Sequence, residues 1–125
     1  MSRRWLGACA PPILYAALIF GLSSLSSPQD LLPQELLGFD KALHLGEYAA
    51  LGALLARALS GGDRSPARAF LWALLLGAIY GVSDELHQAL VPGRDASAFD
   101  WIADAAGTGL GAAAFLFLRR RGRAD

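Results

Sequence analysis

Three short stretches hold the residues whose types and spacing could do chemistry. In Asp40-Lys41-Ala42-Leu43-His44-Leu45-Gly46-Glu47-Tyr48, the residues Asp40, His44 and Glu47 stand four and three apart and share one helix face. In Asp84-Glu85-Leu86-His87-Gln88, a stripe of Asp84, His87, Gln88 and Val91 forms, and Glu85 points about 100° away from Asp84. Asp100 and Asp104 again share a face. His44-x-x-Glu47 and Asp84-x-x-His87 have the spacing with which carboxylate and imidazole ligands project into a bundle core. With Asp100 and Asp104 they could hold one or two divalent ions, and this donor mixture suits Zn, Mn or Fe. The same groups could instead form a hydrogen-bonded network locking three helices together, with His44 on Glu47 and His87 on Asp84.

The flanking cations admit two readings each. Arg94, after Pro92-Gly93, is either a bidentate clamp for phosphate or carboxylate or an ion-pair partner of Asp95, Asp84 or Asp100. Lys41 binds phosphate or snorkels to an interface. Asp40 and Asp100 stand where helix N-terminal caps are needed. Glu47, Asp84, Glu85 and His87 lie too deep for capping and are the catalytic candidates, with His87 or Glu85 as general base. Lys41, His44, Tyr48, Gln88, Arg94, Asp100 and Asp104 are the substrate-binding candidates. Cys9, alone, excludes an intramolecular disulfide and a cysteine-based zinc site. Ser83 lacks a nucleophile elbow, so a serine mechanism has no support.

The elements that must carry these groups are apolar. Of the 125 residues, 54% are hydrophobic, too many for a soluble fold to cover, and mean hydropathy is +0.38. Four segments, about 5–25, 41–59, 67–91 and 98–118, read as membrane helices in a single domain spanning 1–125. The first is expected to be an uncleaved helix with Pro11 and Pro12 in its first turns, where missing N–H donors cost least. Ser26 to Phe39 reads as a loop, with room for a short interfacial helix after Pro33. Ser60-Gly61-Gly62 ends the second helix, Ser65-Pro66 starts the third and Pro92-Gly93 stops it. Ser97-x-x-Asp100 is a capping box for the fourth. Gly77-x-x-x-Gly81 and Gly107-x-x-x-Gly111 are faces for close helix packing. Trp5 and Trp101 are expected as interfacial anchors.

Arg3, Arg4, Arg57, Arg64, Arg68, Arg119, Arg120, Arg121 and Arg123 fall at one end of this arrangement, and only Lys41 and Arg94 at the other. By the positive-inside rule both termini are cytoplasmic and the polar stretches face outward. The fold class is therefore an all-α integral membrane bundle of four transmembrane helices. Helices two, three and four are expected to build an outward-open acidic, histidine-containing pocket, with the first packed outside it. Ionisable groups at this depth cost several kcal/mol unless paired or wet, so such a cluster is a functional site by default. The terminal arginines set topology and touch membrane lipid; nucleic acid is not an expected partner.

The run Asp40-Lys41-x-x-His44-x-x-Glu47-Tyr48-x-x-Leu51-Gly52 is followed by Tyr80-Gly81-x-x-Asp84-Glu85-x-His87-Gln88-x-x-Val91-Pro92-Gly93-Arg94. Ser97-x-x-Asp100-x-x-x-Asp104-x-x-Gly107 continues it. Together they resemble the signature of the VanZ-like family, over about residues 40–111. That family takes its name from a protein linked to reduced susceptibility to the glycopeptide teicoplanin. The resemblance implies a cell-envelope context and the chance of glycopeptide resistance, but no reaction. Three functions are compatible with the site. One is recognition of a lipid-linked envelope precursor or lipoglycopeptide, with Arg94 and Lys41 on an anionic headgroup. Another is a hydrolase or transferase, with or without a metal, acting on a lipid-linked phosphate or ester. The third, an ion-coupled transporter, fits worst because the inner halves of the helices carry no relay residues.

Overall fold

A computed structural model describes residues 3–26, 35 and 40–124, without the side chain of Asp40. The expected loop between Ser26 and Phe39, and the short helix after Pro33, fall outside the described residues except for Ser26 and Glu35. So does any capping by the Asp40 carboxylate. The described chain is all α-helical: α1 (Arg3–Ser23), α2 (Asp40–Leu59), α3 (Pro66–Gln88) and α4 (Ala98–Arg121), with no strand among the described residues.

The boundaries follow local chemistry. Ser65 caps α3, its side chain accepting the Arg68 N–H at 3.3 Å, and Pro66 needs no N–H partner. Helix α3 ends at Gln88, earlier than 91, and the chain passes through a turn to Gly93, whose φ of +79° suits glycine. Ser97 caps α4 by accepting the Asp100 N–H. The reciprocal half of the expected capping box is absent: the Ser97 N–H donates to Glu85 Oε2 at 2.9 Å, and the Asp100 carboxylate goes to Lys41. The prolines of α1 correct another expectation. Because the helix begins at Arg3, Pro11 and Pro12 lie well inside it. An N–H at position 11 would have bonded the Gly7 carbonyl; Arg57 Nη2 from α2 donates to that oxygen instead, at 3.3 Å.

The molecule is built with small and polar residues inside and large apolar ones outside. One buried cluster joins Ala56, Ala69, Ala73, Ala112 and Leu116, and another joins Ile19, Tyr48 and Leu51. Leu90 and Phe99 are 83% and 73% exposed, and leucines and isoleucines cover the flanks of α1, α3 and α4. A surface of that kind belongs in lipid, not water. Helices α1, α3 and α4 are each long and apolar enough to cross a membrane. Helix α2 bears Asp40, Lys41, Glu47 and Arg57 and is not among these candidates.

Helices α2 and α4 form the tightest pair. Gly52 of α2 faces the Thr108 backbone, while Gly107 and Gly111 of α4 face the backbones of Leu45 and Ala49. Without side chains at these three positions the two helices approach backbone to backbone. The consequence for the site is direct, because His44 and Asp104 lie one turn from this seam. Helix α1 packs on both α2 and α3, closer to the polar groups than an outer position implied.

Candidate functional site

On α3 the four polar side chains fan out by helical geometry. Taking Asp84 as the origin, Gln88 lies about 40° to one side and Glu85 about 100°, while His87 lies about 60° to the other. Asp84 and Gln88 therefore meet α2 and α1, Glu85 turns to the start of α4, and His87 turns to α1.

Each direction ends in a defined contact. The Tyr48 hydroxyl donates to Asp84 Oδ2 at 3.0 Å, and Gln88 Nε2 donates to the same oxygen at 3.4 Å. Gln88 also reaches Ser23 Oγ, and Arg94 Nη2 donates to Gln88 Oε1 at 3.0 Å. Arg94 Nη1 completes the link by donating to the Leu25 carbonyl at 3.3 Å. Across the α2–α4 seam His44 Nδ1 meets Asp104 Oδ1 at 2.8 Å. Lys41 and Asp100 form an ion pair at the rim, the lysine more than half exposed. Glu47 is half-buried, within electrostatic reach of His44, Asp84 and Asp104.

His87 does not join this group. Its Nε2 meets Ser24 Oγ at 2.9 Å and its ring stacks on Phe20 with centroids 4.3 Å apart. An Asp84–His87 bond is therefore not part of the network. The donor atoms that converge are also not those of His44, Glu47, Asp84 and His87. Among the described residues, His44, Glu85 and Asp104 bring one donor atom each within 4.8 Å of one another. Nor does Arg94 pair with Asp95, Asp84 or Asp100: among the described residues no carboxylate lies within ion-pair distance of it.

Among the described residues the polar side chains form a packed core instead of the expected open pocket. His44, Asp84, Glu85, Gln88 and Asp104 are 8%, 3%, 7%, 2% and 0% exposed. A cavity of about 290 Å³ opens beside them, lined by Val82, Glu85, Leu86, Ala96, Ser97, Ala98 and Trp101. Its walls are apolar except at Glu85 and Ser97. Trp101 is fixed there by its indole N–H, which donates to the Ala78 carbonyl at 2.9 Å.

The buried carboxylates share a pattern. Asp84, Glu85 and Asp104 each have one oxygen held by a donor and one, Asp84 Oδ1, Glu85 Oε1 and Asp104 Oδ2, with no hydrogen-bond partner among the described residues. Burying such an oxygen costs free energy unless a proton, water or cation meets it. Sequence reasoning missed the residues that hold this core in place. Ser23 and Ser24 sit at the end of an otherwise apolar helix. Thr108, fully buried, donates to the Asp104 carbonyl at 2.8 Å, and its position one turn after Asp104 was the available signal.

No curated protein and no solved structure matches the chain. The family model for VanZ/LLP1 matches residues 12–119, a span that takes in the second half of α1, all of α2 and α3, the polar core and most of α4. The match and the three apolar helices make this chain a membrane protein that belongs to the VanZ/LLP1 family.

Proposed function

We propose that the protein crosses the cell membrane four times with both termini in the cytoplasm, and that its polar end recognises an anionic amphiphile of the envelope at the outer face. The ligand class is a lipid-linked precursor or a lipoglycopeptide, which share an apolar chain and a polar, negatively charged head. The observation that carries this reading is Arg94. Its guanidinium is held by neutral acceptors, Gln88 Oε1 and the Leu25 carbonyl, so it is oriented without a direct ion pair to a described carboxylate, Glu47 being within longer electrostatic reach. A guanidinium held that way is a ready anion clamp. Lys41, more than half exposed and paired with Asp100, stands at the same end. The apolar cavity at Trp101 offers room for the start of a chain.

Binding of a polyprenyl pyrophosphate and of teicoplanin to the full-length protein in phosphatidylcholine nanodiscs tests the assignment. Arg94→Ala should weaken either interaction by about tenfold or more, the scale of a lost charge-assisted hydrogen bond, and Arg94→Lys should restore part of it. Equal affinity in wild type and Arg94→Ala overturns the reading. Catalysis on the same ligands is the second reading, favoured by Glu85, which lines the cavity. Turnover abolished in Glu85→Gln would replace recognition with chemistry.

The orientation has its own check. In a Cys9→Ser background, Asp95→Cys should react with a membrane-impermeant maleimide in intact cells, and Asp63→Cys only after lysis. The opposite pattern reverses the topology and moves the site to the cytoplasmic face.

A further inference from the structure

We infer that His44, Glu85 and Asp104 form a binding site for one divalent transition-metal ion, closed by helices α2, α3 and α4. The inference does not depend on which amphiphile the protein recognises.

Three observations converge on it. The donor atoms come from three different helices, are all buried, and lie within 4.8 Å of one another. Second, the two carboxylates have unpartnered oxygens at depth: Asp104 Oδ2 on a residue that is 0% exposed, and Glu85 Oε1 on one that is 7% exposed. Third, Glu85 Oε2 is anchored by the Ser97 N–H, while Asp104 Oδ1 and His44 Nδ1 already face each other at 2.8 Å, a contact that an ion held between them would replace. A carboxylate tethered through one oxygen and bare at the other is oriented as metal ligands are, with its outer contacts fixing the ligand before the ion arrives. Two carboxylates held together in a buried place repel unless positive charge stands between them. Arg94, the nearest guanidinium on this end, is committed to Gln88 and Leu25.

Geometry and donor type narrow the ion. One imidazole nitrogen with carboxylate oxygens suits Zn²⁺, Mn²⁺ or Fe²⁺ better than Mg²⁺ or Ca²⁺, which favour oxygen alone. The 2.8 Å between His44 Nδ1 and Asp104 Oδ1 is close to the roughly 3 Å between neighbouring ligands on an ion with bonds of about 2.1 Å. Glu85 closes the remaining gap by rotating its carboxylate inward, with the Ser97 N–H as pivot. Of the three residues only Glu85 lines the neighbouring cavity.

The test is equilibrium dialysis of the full-length, chelator-stripped protein in detergent against Zn²⁺ and, separately, Mn²⁺, with no lipid present. Wild type should take up about one ion per chain and gain thermal stability with it. Asp104→Asn and Glu85→Gln should each bind at least about tenfold more weakly. His87→Ala, whose ring faces α1, should bind as wild type does. Should Asp104→Asn fail to fold, Glu85→Gln decides, because its amide oxygen still accepts from Ser97. Absence of uptake by wild type, or wild-type affinity in Glu85→Gln, overturns the site. So does a loss in His87→Ala as large as in the other two. A negative result leaves the Arg94 reading standing, since that is measured with ligand in nanodiscs.

Discussion

A Gly111→Val protein should lose the pairing of α2 with α4. A Cβ at Gly111 would stand 1.8 Å from the Ala49 carbonyl oxygen and 2.6 and 2.8 Å from its C and Cα. These are backbone atoms of a helix interior, so no rotamer change relieves the clash and the helices must separate along their length. Over-packing a well-filled interior commonly costs 1–3 kcal/mol, and a backbone-on-backbone collision belongs at or above the upper end, about 3 kcal/mol or more. Denaturation of the purified protein in detergent, followed by circular dichroism, measures the loss. Gly46→Ala is the matched control. Nothing lies within 4 Å of a Cβ there, so it should be neutral or gain up to about 1 kcal/mol through helix propensity. Comparable losses in both variants would remove the close seam as the basis of the fold.

The second large effect is expected at Asp104. Asp104→Ala strips His44 Nδ1 of its partner across the seam, in a place where neither residue meets solvent to any extent. Losing a buried hydrogen bond to a carboxylate costs about 1.5–3 kcal/mol. Asp95→Ala, on an exposed residue of the same end, should change stability by less than about 0.5 kcal/mol. A double-mutant cycle with His44→Ala, run on chelator-stripped protein, isolates the contact: the two losses should fall well short of additive. Strict additivity would mean that His44 and Asp104 stabilise the bundle separately.

Much of this architecture was legible in the sequence because it depends on local rules. Ser65-Pro66 and Ser97 mark helix starts through capping and dihedral restrictions that hold in any context, whereas α3 ends at Gln88, before Pro92-Gly93. Gly107-x-x-x-Gly111 announced a close helix face, and α2 lies on it. The polar residues of three helices do gather at one end. What sequence could not supply was the identity of each neighbour. Spacing relates Asp84, Glu85 and His87 to one another on α3, but it does not say that α4 stands beside Glu85 and α1 beside His87. Glu85 was therefore set apart from the candidate metal ligands and His87 included, the reverse of where their donor atoms lie. The same gap hid α1, whose Ser23, Ser24 and Leu25 carbonyl have no motif and meet α3 only through tertiary packing. Pro11 misled because helix α1 begins earlier than its apolar run.

The seam between α2 and α4 also bears on the order in which the protein is made. Helix α2 is not among the candidate membrane spans and holds His44 and Glu47, yet its main partner is α4, which follows it in the chain only after α3. While α3 is being translated, His44 has neither Asp104 nor the glycine face of α4 to meet. Completion of the polar core is thus a late step of folding, set by the emergence of residues 104–111.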